Sequence, residues 1–230
     1  MIFFDLDHTL LDLEGADKRA LPRYRETSVL GELLPWERFY EAWETIRKDC
    51  FQRYLDGEYS YNGQRTVRMQ RIHRQAGIEL GEEEALSEFM RYHEILRSEW
   101  KLFPEAREAL NMLSGQRLGL ITNGNATQQR DKLRILGLEG VFSPILTAAE
   151  AGCAKPDPQM FRMGCEMAGV KPEECFYVGD SYTSDIEPAQ KLGMTPVWVD
   201  RKGETLPKGC AAIHVDNLLD AAEEMLRRIG

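Results

Sequence analysis

Short apolar runs without polar alternation recur at residues 2–4, 118–121, 145–146, 175–178 and 196–199, the pattern of parallel strands buried on both faces. Between the later runs apolar positions fall at helical spacing: residues 105–113, 126–136 closed by Gly137, 159–167 closed near Gly169, and 186–192 closed by Gly193. A glycine just past the last turn is a common helix stop. Strand and helix alternate from about residue 101 onward, which predicts βαβ units.

Residues 14–100 follow a different rhythm. Trp36, Phe39, Tyr40, Trp43 and Ile46, then Leu86, Phe89, Met90 and Leu96, repeat at helical spacing, and no segment reads as a strand. The expectation is a helical insertion directly after the first strand, with residues 1–13 and 101–230 forming the core and 14–100 a separate helical domain. Trp36, Trp43 and Trp100 are read as packing residues. The stretch YLDGEYSYNGQR, residues 54–65, reads as an outward-facing polar turn between two of the helices.

With 230 residues there is room for a core domain carrying a smaller one. The net charge of −9 disfavours nucleic acid or an anionic membrane as partner, since both reward clustered Lys and Arg. A small phosphorylated molecule remains compatible, needing only local positive charge. Five cysteines without a C-x-x-C pair suit reduced, structural thiols. The apolar start is interrupted at once by Asp5 and Asp7 without a basic leader, and no stretch approaches the roughly 20 apolar residues of a membrane span. A cytoplasmic protein, monomer or homodimer, is expected.

Ligands of open parallel sheets bind beyond the carboxyl ends of the strands, and there the polar residues of this chain collect. The first run ends in Asp5-Leu6-Asp7, the second in Thr122-Asn123-Gly124, and the fourth in Gly179-Asp180 with Asp185 shortly after. Carboxylates converging this way need a cation, and hard divalent ions take carboxylate and phosphate oxygens. Thr122 offers a hydroxyl and residues 123–125 offer backbone N–H groups for an anion. Lys155 precedes Pro156-Asp157-Pro158, where Asp157 is expected to cap a helix beginning at Pro158.

In order, DLDHTL (5–10), TNG (122–124), the lysine of AKPDP (155) and GDSYTSD (179–185) resemble the four motifs of the haloacid dehalogenase (HAD) superfamily, with a helical cap inserted after the first motif. The fold implied is α/β: a Rossmann-like parallel sheet core with an inserted all-helical cap domain. The resemblance implies that Asp5 is the nucleophile forming an aspartyl-phosphate and Asp7 the acid and base. It further implies that Asp5, the Asp7 backbone carbonyl, Asp180 and Asp185 surround Mg2+, while Thr122, Asn123 and Lys155 bind the phosphoryl group. Asp185 has a second reading, as a cap for the helix near Ile186. His8 stands where the superfamily often has glycine and is read as a tolerated loop variant. His73, His93 and His214 lack ligand spacing and are expected to be surface or partly buried residues.

Within the superfamily the dehalogenases lack the second aspartate, so Asp7 favours phosphoryl chemistry. No cap Lys or Arg is assignable to re-protonating a sugar phosphate, which favours hydrolysis over a mutase reaction. The segment DGEYSYNGQRTVRMQR (56–71) loosely resembles caps of pyrimidine 5′-nucleotidase-like and N-acylneuraminate-9-phosphatase-like relatives, with Tyr59, Tyr61, Asn62 and Arg65 as candidate specificity contacts. The expected activity is Mg-dependent hydrolysis of a small phosphate monoester, a nucleoside monophosphate or sugar phosphate. A 2-haloacid dehalogenase, a sugar phosphomutase and a non-catalytic binding protein are the alternatives.

Overall fold

The apolar runs form strands in the computed structural model, which describes residues 1–230. They are β1 (Ile2–Phe4), β2 (Leu118–Thr122), β3 (Ile145–Thr147), β4 (Phe176–Gly179) and β5 (Thr195–Val199), joined by a sixth strand, β6 (Ile213–Val215). The sheet order is β3-β2-β1-β4-β5-β6 and every pairing is parallel. Burial of every residue of β1 and β2 explains why their sequences do not alternate. From β1 the chain builds outward through β2 to β3, then returns to the other side of β1 for β4, β5 and β6. The crevice beyond the carboxyl ends of β1 and β4 is therefore the topological switch point.

Close approach shapes the strands too. Gly119 lies opposite Phe3 in the β1–β2 register, and a Cβ there would sit 2.7 Å from the Phe3 ring. A side chain at 119 would displace the aromatic that anchors this face of the core.

The chain divides into two compact units, Met1–Leu13 with Lys101–Gly230, and Glu14–Trp100. The second is wholly helical: α1 (Leu13–Glu26) enters it, followed by α2 (Leu30–Leu33), α3 (Trp36–Leu55), α4 (Tyr61–Arg74) and α5 (Glu82–Ser98). Its centre is aromatic. Trp43 meets the Tyr92 ring edge-on at 4.5 Å, with Phe39 at 5.6 Å and Tyr24 at 6.0 Å, and the Tyr92 hydroxyl donates to the buried Asp17 carboxylate. Arg19 and Arg23 of α1 both reach Glu99 beyond the end of α5, at 3.1 and 2.5 Å.

Two expectations for this unit are corrected. The turn of residues 54–65 is confined to 56–60, because Ser60 accepts from the Gly63 N–H at 2.9 Å and starts α4 one residue later. Gln64 and Arg65 are consequently buried on α4 rather than facing outward; the Arg65 guanidinium lies 3.8 Å over the Tyr61 ring. His73 is fully buried, its Nδ1 2.9 Å from the Met69 carbonyl oxygen.

The sheet unit adds α6 (Ala106–Met112), α7 (Ala126–Ile135), α8 (Ala148–Ala151), α9 (Pro158–Ala168), α10 (Glu187–Leu192) and α11 (Leu218–Ile229). Asp157 caps α9 by accepting from the Gln159 N–H at 2.8 Å, with Pro158 in the first turn. Gly169 and Gly193 end α9 and α10 at φ of +65° and +95°, a conformation that costs other residues about 1–2 kcal/mol. All five cysteines are free. No helix is long and apolar enough to cross a membrane.

Helix α9 packs on β2 and β3 through Met160, Phe161 and Cys165, all in one buried cluster with Phe3, Ile121 and Tyr177. Gly164 permits this contact, since a Cβ there would lie 2.4 Å from Ile121 Cδ1. Gly164→Ala gains about 1 kcal/mol in helix propensity but overpacks the core, a cost of about 1–3 kcal/mol. A net loss of stability in urea unfolding is expected, largely recovered by adding Ile121→Val, which deletes the clashing methyl. A Gly164→Ala protein more stable than its parent would contradict this packing.

Candidate active site

Strand β1 stops where its side chains turn polar. The Asp5 N–H donates to the Val178 carbonyl at 2.9 Å, holding the first residue after β1 against β4. The loop then curls back, with the Leu10 and Leu11 N–H groups donating to the Leu6 carbonyl at 3.0 and 2.9 Å. His8 occupies this curl at φ +66°, as the one non-glycine residue of the chain in the left-handed region. That backbone accounts for the glycine often found here in the superfamily, and histidine is among the residues that tolerate it.

Asp5, Asp180 and Asp185 come together, with one carboxylate oxygen from each within 4.8 Å of the others. Lys155 Nζ donates to Asp5 Oδ1 at 2.6 Å, to Asp185 Oδ1 at 2.7 Å and to Tyr177 Oη at 3.0 Å. The Tyr177 hydroxyl in turn donates a hydrogen bond to the Ile121 carbonyl at 2.9 Å. Asp185 Oδ2 accepts the Ser181 N–H at 3.1 Å, so the residue faces Lys155 rather than capping α10. It can do so because residues Tyr182–Ile186 form one wide π-helical turn that brings Asp185 back beneath the strand. Gly179 makes room for it: a Cβ there would meet the Asp185 side chain at 2.5 Å.

Electrostatics leave this cluster short of positive charge. Two like charges 4 Å apart repel by about 4 kcal/mol at an effective dielectric near 20, and three carboxylates here share one ammonium. Burial pushes the Asp180 carboxyl up to about 8, reinforced by the Asp185 and Asp5 charges. Burial likewise pushes Asp5 up to about 6, with Lys155 pulling against it and Asp185 adding to it. Burial favours a neutral Lys155, but Asp185 and Asp5 outweigh it and hold the ammonium firmly charged. An all-oxygen, electron-rich donor set of this kind fits a hard divalent cation.

Asp7 lies outside this group. Its carboxylate takes Lys132 Nζ at 2.7 and 2.6 Å on its two oxygens and Gln129 Nε2 at 3.2 Å. Burial alone would raise its pKa, but the Lys132 ammonium overrides this and leaves Asp7 below the usual carboxylate range. Thr122 is buried, its hydroxyl oxygen accepting from Gln129 Nε2 at 3.0 Å. The Asn123 side chain is committed to the Lys155 backbone, donating to its carbonyl at 3.0 Å and accepting from its N–H at 2.8 Å.

The sequence reading missed Lys132, Gln129, Thr9 and Tyr177. Thr9 is placed between two carboxylates, 3.2 Å from Asp180 Oδ1 and 3.4 Å from Asp5 Oδ2. A signal for the first two existed: Gln129 and Lys132 are three apart on α7, on the same face as buried Leu133 and Leu136. Polar residues on an apolar face behind a strand-end motif point inward for a reason.

Similarity to known proteins agrees with this geometry. The description of haloacid dehalogenase-like hydrolases matches residues 1–193. A glyceraldehyde 3-phosphate phosphatase of Pyrococcus furiosus is 30% identical over 212 residues, 86% of this chain and 79% of that protein. Human N-acylneuraminate-9-phosphatase is 27% identical over 213 residues, 88% of this chain and 83% of that protein. A phosphoserine phosphatase of Thermus thermophilus is 43% identical over 107 residues, but this match spans only 46% of this chain and 43% of that protein. Among solved structures, the magnesium-bound hydrolase YfnB of Bacillus subtilis shares the fold with a TM-score of 0.78 at 22% identity, over 99% of this chain and 96% of that one. A 2-haloacid dehalogenase of Pseudomonas syringae has a TM-score of 0.70 at 29% identity, over 100% of this chain and 98% of that one. The resemblance carried by the four motifs is thus one of descent, and the chain belongs to the haloacid dehalogenase-like hydrolases.

Proposed function

We propose that the protein is a magnesium-dependent phosphomonoesterase that hydrolyses a small phosphorylated metabolite through an aspartyl-phosphate on Asp5. The observation that carries this reading is the Lys155 ammonium, 2.6 Å from Asp5 and 2.7 Å from Asp185, inside a carboxylate cluster still short of cationic charge. Asp5, Asp180 and Asp185, with the Asp7 backbone carbonyl, would hold the metal, which when bound offsets phosphoryl and carboxylate charge.

In the first step an Asp5 oxygen attacks phosphorus as the bond to the leaving oxygen breaks, and Asp7, ionised beside Lys132 in the free protein and protonated by the substrate monoanion on binding, gives that proton to the leaving oxygen. In the second, water attacks the phosphorus while Asp7 takes the water's proton, and the bond to Asp5 breaks to release phosphate. Thr122, the residue 123–125 backbone and Lys155 stabilise the phosphoryl oxygens as charge moves among them. Residues 14–100 serve as a substrate-selecting cap, for which Tyr59, Tyr61, Asn62 and Arg65 are the candidate specificity residues. A nucleoside monophosphate or sugar phosphate is the substrate class favoured by the motif resemblance. The names of the relatives add triose phosphate, phosphoserine and acylneuraminate phosphate to the compounds worth testing.

A dehalogenase reading draws on the 29% identity to the Pseudomonas syringae protein. Asp7 argues against it, because displacing halide from carbon requires no proton on the leaving group. A panel of phosphate esters with magnesium is expected to give turnover ranked by kcat/KM, and 2-chloropropionate without magnesium no chloride. Chloride release without phosphate release would reverse the assignment. Asp5→Asn is expected to lower turnover on the order of 10⁴-fold or more with an unchanged circular dichroism spectrum; an active Asp5→Asn protein would exclude Asp5 as nucleophile.

Metal binding has its own readout. Magnesium at a hundredfold excess over its dissociation constant is expected to stabilise the fold by about 2.7 kcal/mol, seen as a rise in melting temperature reversed by EDTA. Asp180→Asn is expected to lose this rise while being at least as stable as the metal-free parent, since burial and the Asp185 and Asp5 charges already disfavour a carboxylate at this position. An Asp180→Asn protein that keeps the full magnesium shift would remove Asp180 from the metal site.

A further inference from the structure

Two carboxylates of the first motif are served by two different lysines. Asp5 is paired with Lys155 and Asp7 with Lys132, and only Lys155 belongs to the motifs. The Lys132 side chain is 5% exposed against 23% for its partner, so the ammonium is the buried member of the pair and the carboxylate the accessible one. Gln129, fully buried one helical turn earlier, donates through the same Nε2 to Asp7 Oδ2, to Thr122 Oγ1 and to the Asn123 carbonyl, at 3.2, 3.0 and 2.7 Å. Helix α7 thus holds the Asp7 carboxylate and the Thr122 hydroxyl in one fixed relation.

Packing does not require a lysine at this position. Lys132 shares its helical face with Leu133 and Leu136, and an apolar residue of similar volume commonly replaces a buried ion pair without loss of stability. A buried ammonium carries a desolvation cost that only a close partner offsets, and here Lys132 contacts both oxygens of that partner. Whichever oxygen bears a proton, the other keeps its contact with the ammonium. The carboxyl group is therefore oriented throughout a reaction in which it gives up a proton and takes one back.

We propose that Lys132, supported by Gln129, is a positioning residue that aims Asp7 at the leaving-group oxygen. This rests on the reading of Asp7 as the acid of the phosphomonoesterase. It makes Lys132 matter in proportion to how much the leaving group needs a proton. An alkoxide does not depart unprotonated, whereas p-nitrophenolate does. Since kcat/KM reports events up to formation of the aspartyl-phosphate, the comparison isolates the acid step from the later attack of water.

The test measures kcat/KM for p-nitrophenyl phosphate and for the best alkyl phosphate of the panel, in the parent, Lys132→Met, Asp7→Asn and the double variant. Lys132→Met is expected to lower the alkyl value on the order of 10²-fold and the aryl value by no more than about threefold, as Asp7→Asn does. Adding Lys132→Met to Asp7→Asn is expected to leave the alkyl-to-aryl ratio where Asp7→Asn alone puts it, the non-additivity of two residues acting as one. Equal losses on both esters, or a further change of ratio in the double variant, would overturn the proposal and leave Lys132 a structural residue. If Lys132→Met does not fold, Lys132→Gln, which keeps an N–H for one oxygen but no charge, is read by the same ratio. Turnover by the parent with an unaltered ratio refutes the role of Lys132 alone; no turnover of any ester by the parent refutes the phosphomonoesterase reading and this inference with it.

Discussion

A single ammonium group makes the rest of this site tolerable. Lys155 Nζ sits between Asp5 and Asp185 at 2.6 and 2.7 Å, and without it the buried carboxylates of Asp5 and Asp185 and the partly buried one of Asp180 would repel one another by several kcal/mol. The lysine is held from both sides. Its backbone is clasped by Asn123 beyond β2, and its ammonium meets Tyr177, whose ring is packed edge-on against Phe161 at 4.8 Å in the core. One aromatic residue thus joins the hydrophobic interior to the polar crevice, and the precision of the charged groups derives from packing behind them.

The sheet order explains why these groups meet. Residues 5, 122, 155 and the 180–185 pair are far apart in the chain, yet four parallel strands deliver their carboxyl ends to one edge, and the reversal of strand order at β1 opens a crevice there. Short-range devices then tune the positions: the left-handed His8 turns the first loop, the wide turn at Tyr182–Ile186 returns Asp185, and Gly179 yields the space it fills. None of these devices is apolar burial, but each would be idle without the buried strands that fix its starting point.

Much of the α/β core could be read from local pattern because its strands are buried on both faces and therefore stand out as unbroken apolar runs. β6 escaped for the complementary reason: at the sheet edge Ile213 is buried and His214 exposed, so no run exists to see. The helical region was visible from its spacing, but the limits of the turn after α3 were not, because whether Tyr61 and Arg65 begin a helix depends on the Ser60 cap. At the site, the four motifs marked residues that the fold brings together. Lys132 and Gln129 were passed over because a basic or amide residue on a helix is usually solvated, and only the contact with Asp7, more than a hundred residues earlier in the chain, shows otherwise.

The Asn123 clasp has a mechanical meaning. Through one side-chain amide, two segments separated by 32 residues are tied together, so the loop that follows Thr122 and the loop that carries Lys155 are coupled in any shift. An anion seated between them would meet a preformed cradle with little ordering entropy left to lose, and selection among anions would then fall to shape and charge rather than to the adaptability of the loops.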